Sequence, residues 1–192
     1  MLAVCNHLGL LDPWILGSQM PISFVAKAEM GRWPVVGWIS RTVGIVFVER
    51  ERRMQTHQFI ETVRDKMREG VWILAFPEGT TSKGDDVQPF KTGAFATVAE
   101  MTDGAVLPLY INILEVDGRP ADAALRERVT WADSDQSMLD NFWDMMGIKS
   151  VHVEVRVGSP LSTAGVDRKR LARDAHIAVC RLGADDGPPP AL

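Results

Sequence analysis

A chain of 192 residues, 46% hydrophobic and 24% charged, has the size and composition of one globular domain with a real core, which excludes a disordered chain. Its net charge of −4 offers no basic surface, so no nucleic-acid partner is expected. Cys5 and Cys180 form no disulfide framework, and His7, His57, His152 and His176 lack metal-ligand spacing, so neither a metal nor a resident cofactor is expected.

In chain order, Leu2 to Cys5 reads as a short buried strand, and Asp12-Pro13 as the start of a helix that runs on from Trp14 to Met20. The stretch from Asn6 to Asp12 therefore falls in a strand-to-helix turn, where α/β sheets bind ligands. Within it Asp12 either caps the helix or curls back to the imidazole of His7, fixing one ring nitrogen and freeing the other to take a proton. Ile22 to Ala26 is a second strand, and Lys27 follows it. Trp33 to Ile39 is bulky and apolar, a piece of core or the wall of a greasy channel. Gly44 to Val48 is another buried strand and runs into the charged stretch from Glu49 to Arg53.

From Met54 to Glu69, Phe59, Ile60, Val63 and Met67 recur at helical spacing, and Gly70 ends the helix. Val71 to Phe76 is apolar throughout, as a central parallel strand is. The polar loop Pro77 to Asp86 terminates it, and a helix is expected from Thr92 to Met101. Ala105 to Ile113 is a strand in which Pro108 marks a bulge, a bend or an edge. The acidic region from Glu115 to Ser150 is harder to read and holds a short helix from Gln136 to Met146. Val151 to Val157 alternates strictly, which puts His152, Glu154 and Arg156 on one solvated face. Asp167 to Leu182 is a closing amphipathic helix, and 183–192, rich in Gly and Pro, is a flexible tail. The alternation of strands and helices indicates an α/β domain over 1–182, with a mainly parallel central sheet flanked by helices.

Three strand ends carry polar chemistry: His7 and Asp12 after the first, Arg50 after the strand of Gly44 to Val48, and Glu78-Gly79-Thr80 after the strand of Val71 to Phe76. On parallel neighbouring strands these open at one edge of the sheet. A guanidinium beside loop N–H groups suits a phosphate monoester, and a base near a bound phosphate suits deprotonation of a hydroxyl on the same substrate.

These blocks resemble those of the glycerolipid acyltransferase family, whose best-known members are 1-acylglycerol-3-phosphate (lysophosphatidate) acyltransferases. Asn6-His7 through Asp12 matches the family's NHx4D motif, Gly44 to Arg50 its GxxFxxR block, and Phe76 to Ser82 its FPEGT-S block; Val106 to Tyr110 resembles the proline-centred fourth block. The resemblance covers roughly positions 4 to 112. It implies that His7 removes the proton from an acceptor hydroxyl, with Asp12 holding the imidazole, and that the oxygen attacks the thioester of acyl-CoA or acyl-carrier protein directly. Arg50, Glu78, Gly79, Thr80 and Lys27 would then bind the acceptor, and Cys5 would be a packed core residue rather than a nucleophile.

The implied acceptor is a lysophospholipid, with lysophosphatidate giving phosphatidate first and another lysolipid such as lyso-ornithine lipid second. A non-catalytic lipid-binding domain and a hydrolase are the rival classes, and the absence of a G-x-S-x-G elbow argues against the latter. Gly9 stands where many members carry Ser, which removes a hydroxyl contact and loosens the turn. Members also carry an N-terminal helical segment that grips the membrane. With His7 so near the start, that segment is expected to be missing here, leaving Trp14, Trp33 and Trp38 for peripheral attachment to the cytoplasmic face of a membrane.

Overall fold

The computed structural model describes residues 1–27, 46–48, 53–99, 101–131 and 138–184. Trp33, Trp38, Gly44, Ile45, Arg50 and the last eight residues of the expected tail (185–192) lie outside the described residues.

Strand β1 (Leu2–Cys5) is the centre of the sheet, because its side chains are buried on both faces. It pairs in parallel with β4 (Trp72–Ala75) on one side and β5 (Ala105–Val116) on the other. Beyond β4 come β2 (Ile22–Lys27) and β3 (Val46–Val48), both parallel, so the strand order is β3-β2-β4-β1-β5. Along β5 run three antiparallel segments, β6 (Arg119–Pro120), β7 (Val151–Val157) and β8 (Leu161–Ser162), and the sheet is therefore mixed with a parallel majority.

The alternation of side chains sorts the core into two layers. Leu2, Val4, Ile73, Val106 and Tyr110 face Val63 and Met67 of helix α2 (Arg53–Arg68), together with Leu171, Ala175 and Val179 of the long C-terminal helix (Arg168–Ala184). Ala3, Cys5, Leu74, Leu107, Leu109 and Ile111 face Leu16 of α1 (Asp12–Gln19) and Leu125 and Val129 of α3 (Ala123–Val129). A short helix, α4 (Met138–Met145), follows, and the C-terminal helix is α5. Parallel strands buried on both faces read as continuous apolar runs, which is why β1 and β4 are legible in the sequence.

The helix expected over Thr92 to Met101 is only a 3-10 turn, Ala94–Thr97. Arg64 accounts for this: its guanidinium donates to the carbonyl oxygens of Thr97 (3.0 Å), Ala99 (3.0 Å) and Ala96 (3.4 Å), the acceptors a continuing helix would use. Pro108 lies inside β5, paired with Val4, and its carbonyl accepts from Gly158 N at 2.9 Å. Opposite it β7 gives way to β8, and the register slips by one residue between Leu109↔Val157 and Val106↔Leu161, the bulge that a proline in a strand implies.

The expected solvated face of β7 is exposed only at His152. Arg156 is covered by the end of α5, donating from Nη1 to Leu182 O at 2.7 Å and from Nε to Glu154 at 2.7 Å. α5 also runs on through Gly183 and Ala184, beyond the expected boundary of the tail.

Candidate active site

The carboxyl ends of the parallel strands bring together what the sequence spreads apart. β1 ends at Cys5, and Asn6 takes over its hydrogen bonding with a side chain. The amide Nδ2 donates to Ile111 O at 3.0 Å, and Ile111 N donates to Oδ1 at 2.7 Å, so Asn6 extends the β1–β5 ladder while the main chain turns away. Asn6 is buried, and this double bond anchors the residue immediately before His7.

Asp12 does not cap α1. Leu11 is the cap residue, and no side chain caps the helix. The Asp12 carboxylate instead turns back into the strand-to-helix turn, where Oδ2 accepts from Leu8 N (2.7 Å), Gly9 N (3.0 Å) and the Nδ1 of His7 (2.7 Å). A carboxylate already accepting two backbone N–H groups meets the ring nitrogen as a third acceptor bond, so Nδ1 carries the proton and Nε2 of the neutral ring is left as a base. Asp12 is buried at 2% exposure, whereas the His7 side chain is 24% exposed. The ring stacks on Phe76 at the end of β4, with centroids 4.1 Å apart and planes at 12°. One edge held by Asp12 and one face held by Phe76 leave the Nε2 side of His7 as the part that can meet a substrate.

Glu78 is the second anchor. It is 2% exposed, and its two oxygens are divided between distant amides: Oε1 accepts from His7 N and Oε2 from Gln88 N, each at 2.8 Å. Burial pushes its carboxyl above the ordinary range, and the two amides and the nearby His7 pull it part of the way back. Ser82 N completes the cradle by donating to His7 O at 2.8 Å. Glu78 thus holds the His7 backbone rather than facing outward, while Gly79 and Thr80 are exposed at the rim. Gly79 has φ +70°, a backbone conformation that favours glycine.

A further segment closes the turn from the other side. Trp131 N donates to Leu8 O at 2.8 Å, and the Thr81 hydroxyl donates to Trp131 O. A Cβ at Gly9 would sit 3.1 Å from Trp131 N, a tight contact that a side chain at 9 would have to relieve by a small shift of the neighbouring backbone. The turn is packed against Trp131 at Gly9.

Of the expected site residues, His7, Asp12, Glu78, Gly79 and Thr80 come together. Lys27 is the last residue of β2, with its backbone in register with Val48, and Arg50 lies outside the described residues. Sequence reading missed the positioning parts played by Asn6, Phe76, Ser82 and Gln88. Asn6 had a signal, since a buried amide at a strand end needs backbone partners; the amides of Ser82 and Gln88 had none, because a backbone N–H leaves no mark on residue type.

Cys5 is fully buried beneath this turn, donating to Asn6 Oδ1 at 3.3 Å. Burial, with the Asp12 charge adding to it, pushes its thiol well above the ordinary range, so it stays a neutral thiol and packs as core. Among the described residues no three His, Cys, Asp or Glu side chains are grouped to hold a metal ion, and no helix is long and apolar enough to cross a membrane.

Comparison with known proteins bears on the family and the fold. A model of the acyltransferase family matches residues 1–112. The chain is 34% identical over 189 residues to the lyso-ornithine lipid O-acyltransferase of Brucella abortus (strain 2308), covering 95% of this chain and 70% of that protein. It is 27% identical over 187 residues to the 1-acyl-sn-glycerol-3-phosphate acyltransferase of Neisseria gonorrhoeae, covering 97% of this chain and 70% of that protein. The fold is like that of the 1-acyl-sn-glycerophosphate (LPA) acyltransferase PlsC of Thermotoga maritima, with a TM-score of 0.64 at 23% identity, over 96% of this chain and 65% of that one. The chain thus spans between 65% and 70% of the length of these three proteins. With a family match over more than half its length and a relative alike along nearly all of it, the chain belongs to the acyltransferase family.

Proposed function

We propose that the chain moves a fatty acyl group from a thioester, acyl-CoA or acyl-carrier protein, to the free hydroxyl of a lysolipid. The observation that carries this is the 2.7 Å bond between His7 Nδ1 and a buried Asp12 carboxylate, which leaves Nε2 as the base. The acceptor O–H loses its proton to Nε2 as its oxygen attacks the thioester carbonyl. The tetrahedral intermediate collapses with loss of the C–S bond, and the imidazolium returns the proton to the leaving thiolate, yielding an ester and a free thiol. Asp12 stabilises the imidazolium between these two transfers.

The similarity to lyso-ornithine lipid O-acyltransferases along almost the whole chain favours lyso-ornithine lipid as the acceptor. Lysophosphatidate is the second reading, favoured by the likeness to the Neisseria gonorrhoeae enzyme and by the motif blocks. A lipid acceptor puts the reaction at a membrane surface, and peripheral attachment at its cytoplasmic face is part of the proposal. Trp14, 43% exposed in the first turn of α1 two residues after Asp12, supports that attachment beside the site.

The test is thiol release from palmitoyl-CoA with lyso-ornithine lipid, with lysophosphatidate, and with no acceptor. Acceptor-dependent release is expected, fastest with lyso-ornithine lipid. Release without acceptor would mean a hydrolase, and faster release with lysophosphatidate would reverse the order of the two acceptors.

A further inference from the structure

We propose that Lys91 is a specificity residue that binds the anionic group of the acceptor's head, a phosphate or a carboxylate; this rests on the acyl-transfer reading of the site. Its backbone is fixed from two sides. Lys91 N donates to Pro77 O at 2.9 Å, tying it to the loop that carries Glu78. The neighbouring Phe90 packs on Phe95 (centroids 6.3 Å apart) and meets the edge of His176 (5.2 Å), so the chain enters Lys91 from the core.

The side chain then crosses Gly79. A Cβ built on Gly79 would lie 2.5 Å from Nζ, 3.0 Å from Cδ and 3.2 Å from Cε. The lysine arm therefore lies in the space that a side chain at 79 would fill, which puts its ammonium beside the exposed rim of the loop.

That ammonium has no carboxylate within 4.0 Å among the described residues. Glu78, the neighbour of Gly79, is buried, with its two oxygens accepting from backbone amides. The same Glu78 carboxylate holds His7, so the cation stands one residue along the loop from the anchor of the base. An ammonium on an arm already laid against Gly79 loses less freedom on meeting an anion than one on a free surface lysine does. Both candidate acceptors supply an anion: the phosphate of lysophosphatidate and the carboxylate of an ornithine head.

Isothermal titration of short-chain lysophosphatidate, short-chain lyso-ornithine lipid and CoA into wild type, Lys91→Met and Lys91→Arg decides the matter, with the melting temperature of each protein recorded. Lys91→Met keeps the length of the arm and removes its charge, and is expected to raise the acceptor Kd about tenfold, with Lys91→Arg recovering most of the affinity and CoA binding unchanged. A loss confined to lysophosphatidate assigns a phosphate partner, and a loss confined to lyso-ornithine lipid assigns a carboxylate. Unchanged acceptor binding in Lys91→Met, a loss confined to CoA, a lowered melting temperature not restored by arginine, or a wild type that binds neither lysolipid would each overturn the proposal. Lysolipid binding by a wild type that releases no thiol would sink the transferase reading separately, while the comparison of Kd values would still decide the role of Lys91.

Discussion

Asparagine in place of Asp12 lowers kcat by roughly 10²- to 10⁴-fold, with the acceptor KM within a few fold of wild type. The reason lies in how Asp12 is held. Leu8 N and Gly9 N both point at Oδ2, so an amide oxygen takes that place and the turn keeps its shape. What disappears is the negative charge 2.7 Å from Nδ1, which stabilises the imidazolium formed when Nε2 takes the acceptor's proton. A loss in kcat without a loss in binding is the signature of an interaction that matters only once the ring is charged. Steady-state kinetics on the variant, beside its melting curve, check this; an unaltered kcat would remove Asp12 from the mechanism.

Alanine in place of Glu78 is expected to affect both stability and turnover. It leaves His7 N and Gln88 N without their 2.8 Å partners in a buried place. Each orphaned donor costs about 1–3 kcal/mol, so a loss of roughly 2–4 kcal/mol is expected once water reaches part of the void. Because the His7 backbone is then held by Ser82 N alone, small displacements of the ring lower kcat by about 100-fold.

The pH dependence separates this from an ordinary cavity effect. Burial raises the Glu78 carboxyl above its ordinary value of 4.5, so the folded protein binds more protons than the unfolded chain just above that pH. Its contribution to stability therefore declines as pH rises from about 4.5 to the raised folded value, and is level beyond it. Glu78→Ala should lose that slope as well as stability, in denaturant melts taken across the window; a variant that keeps the slope would show that another group produces it.

The residues that the structure gathers at the candidate site were the most legible part of the chain, and their supports the least. His7, Asp12 and Glu78 stand at the ends of apolar strands, and the parallel β1–β4 pairing brings them together because consecutive polar turns follow strands of matched length. What could not be read was what lies opposite. For Asp12 the sequence offered two readings, a helix cap or a return to His7, and the structure takes the second, adding the amides of Leu8 and Gly9. The segment around Gly93 to Val98 has helical composition, and only the fold brings Arg64 to its carbonyls. Arg156 alternates as a solvated strand residue does, until α5 comes back over it from the far end of the chain. Helix α3 was missed, although Asp122 caps it through Leu125 N at 2.8 Å, since the polar residues around it mask its short apolar stripe. The misses at Arg64 and Arg156 involve partners distant in sequence, which local pattern cannot supply.

The central claim is that His7 Nε2 is the base that activates the acceptor hydroxyl. The most direct measurement is mass-spectrometric detection of the diacylated lipid formed from palmitoyl-CoA and lyso-ornithine lipid or lysophosphatidate, comparing wild type with His7→Ala at equal folded concentration. Diacylated product in the wild type and a fall of at least about 100-fold in the variant is the result expected. Product formed at the same rate by both proteins would contradict it.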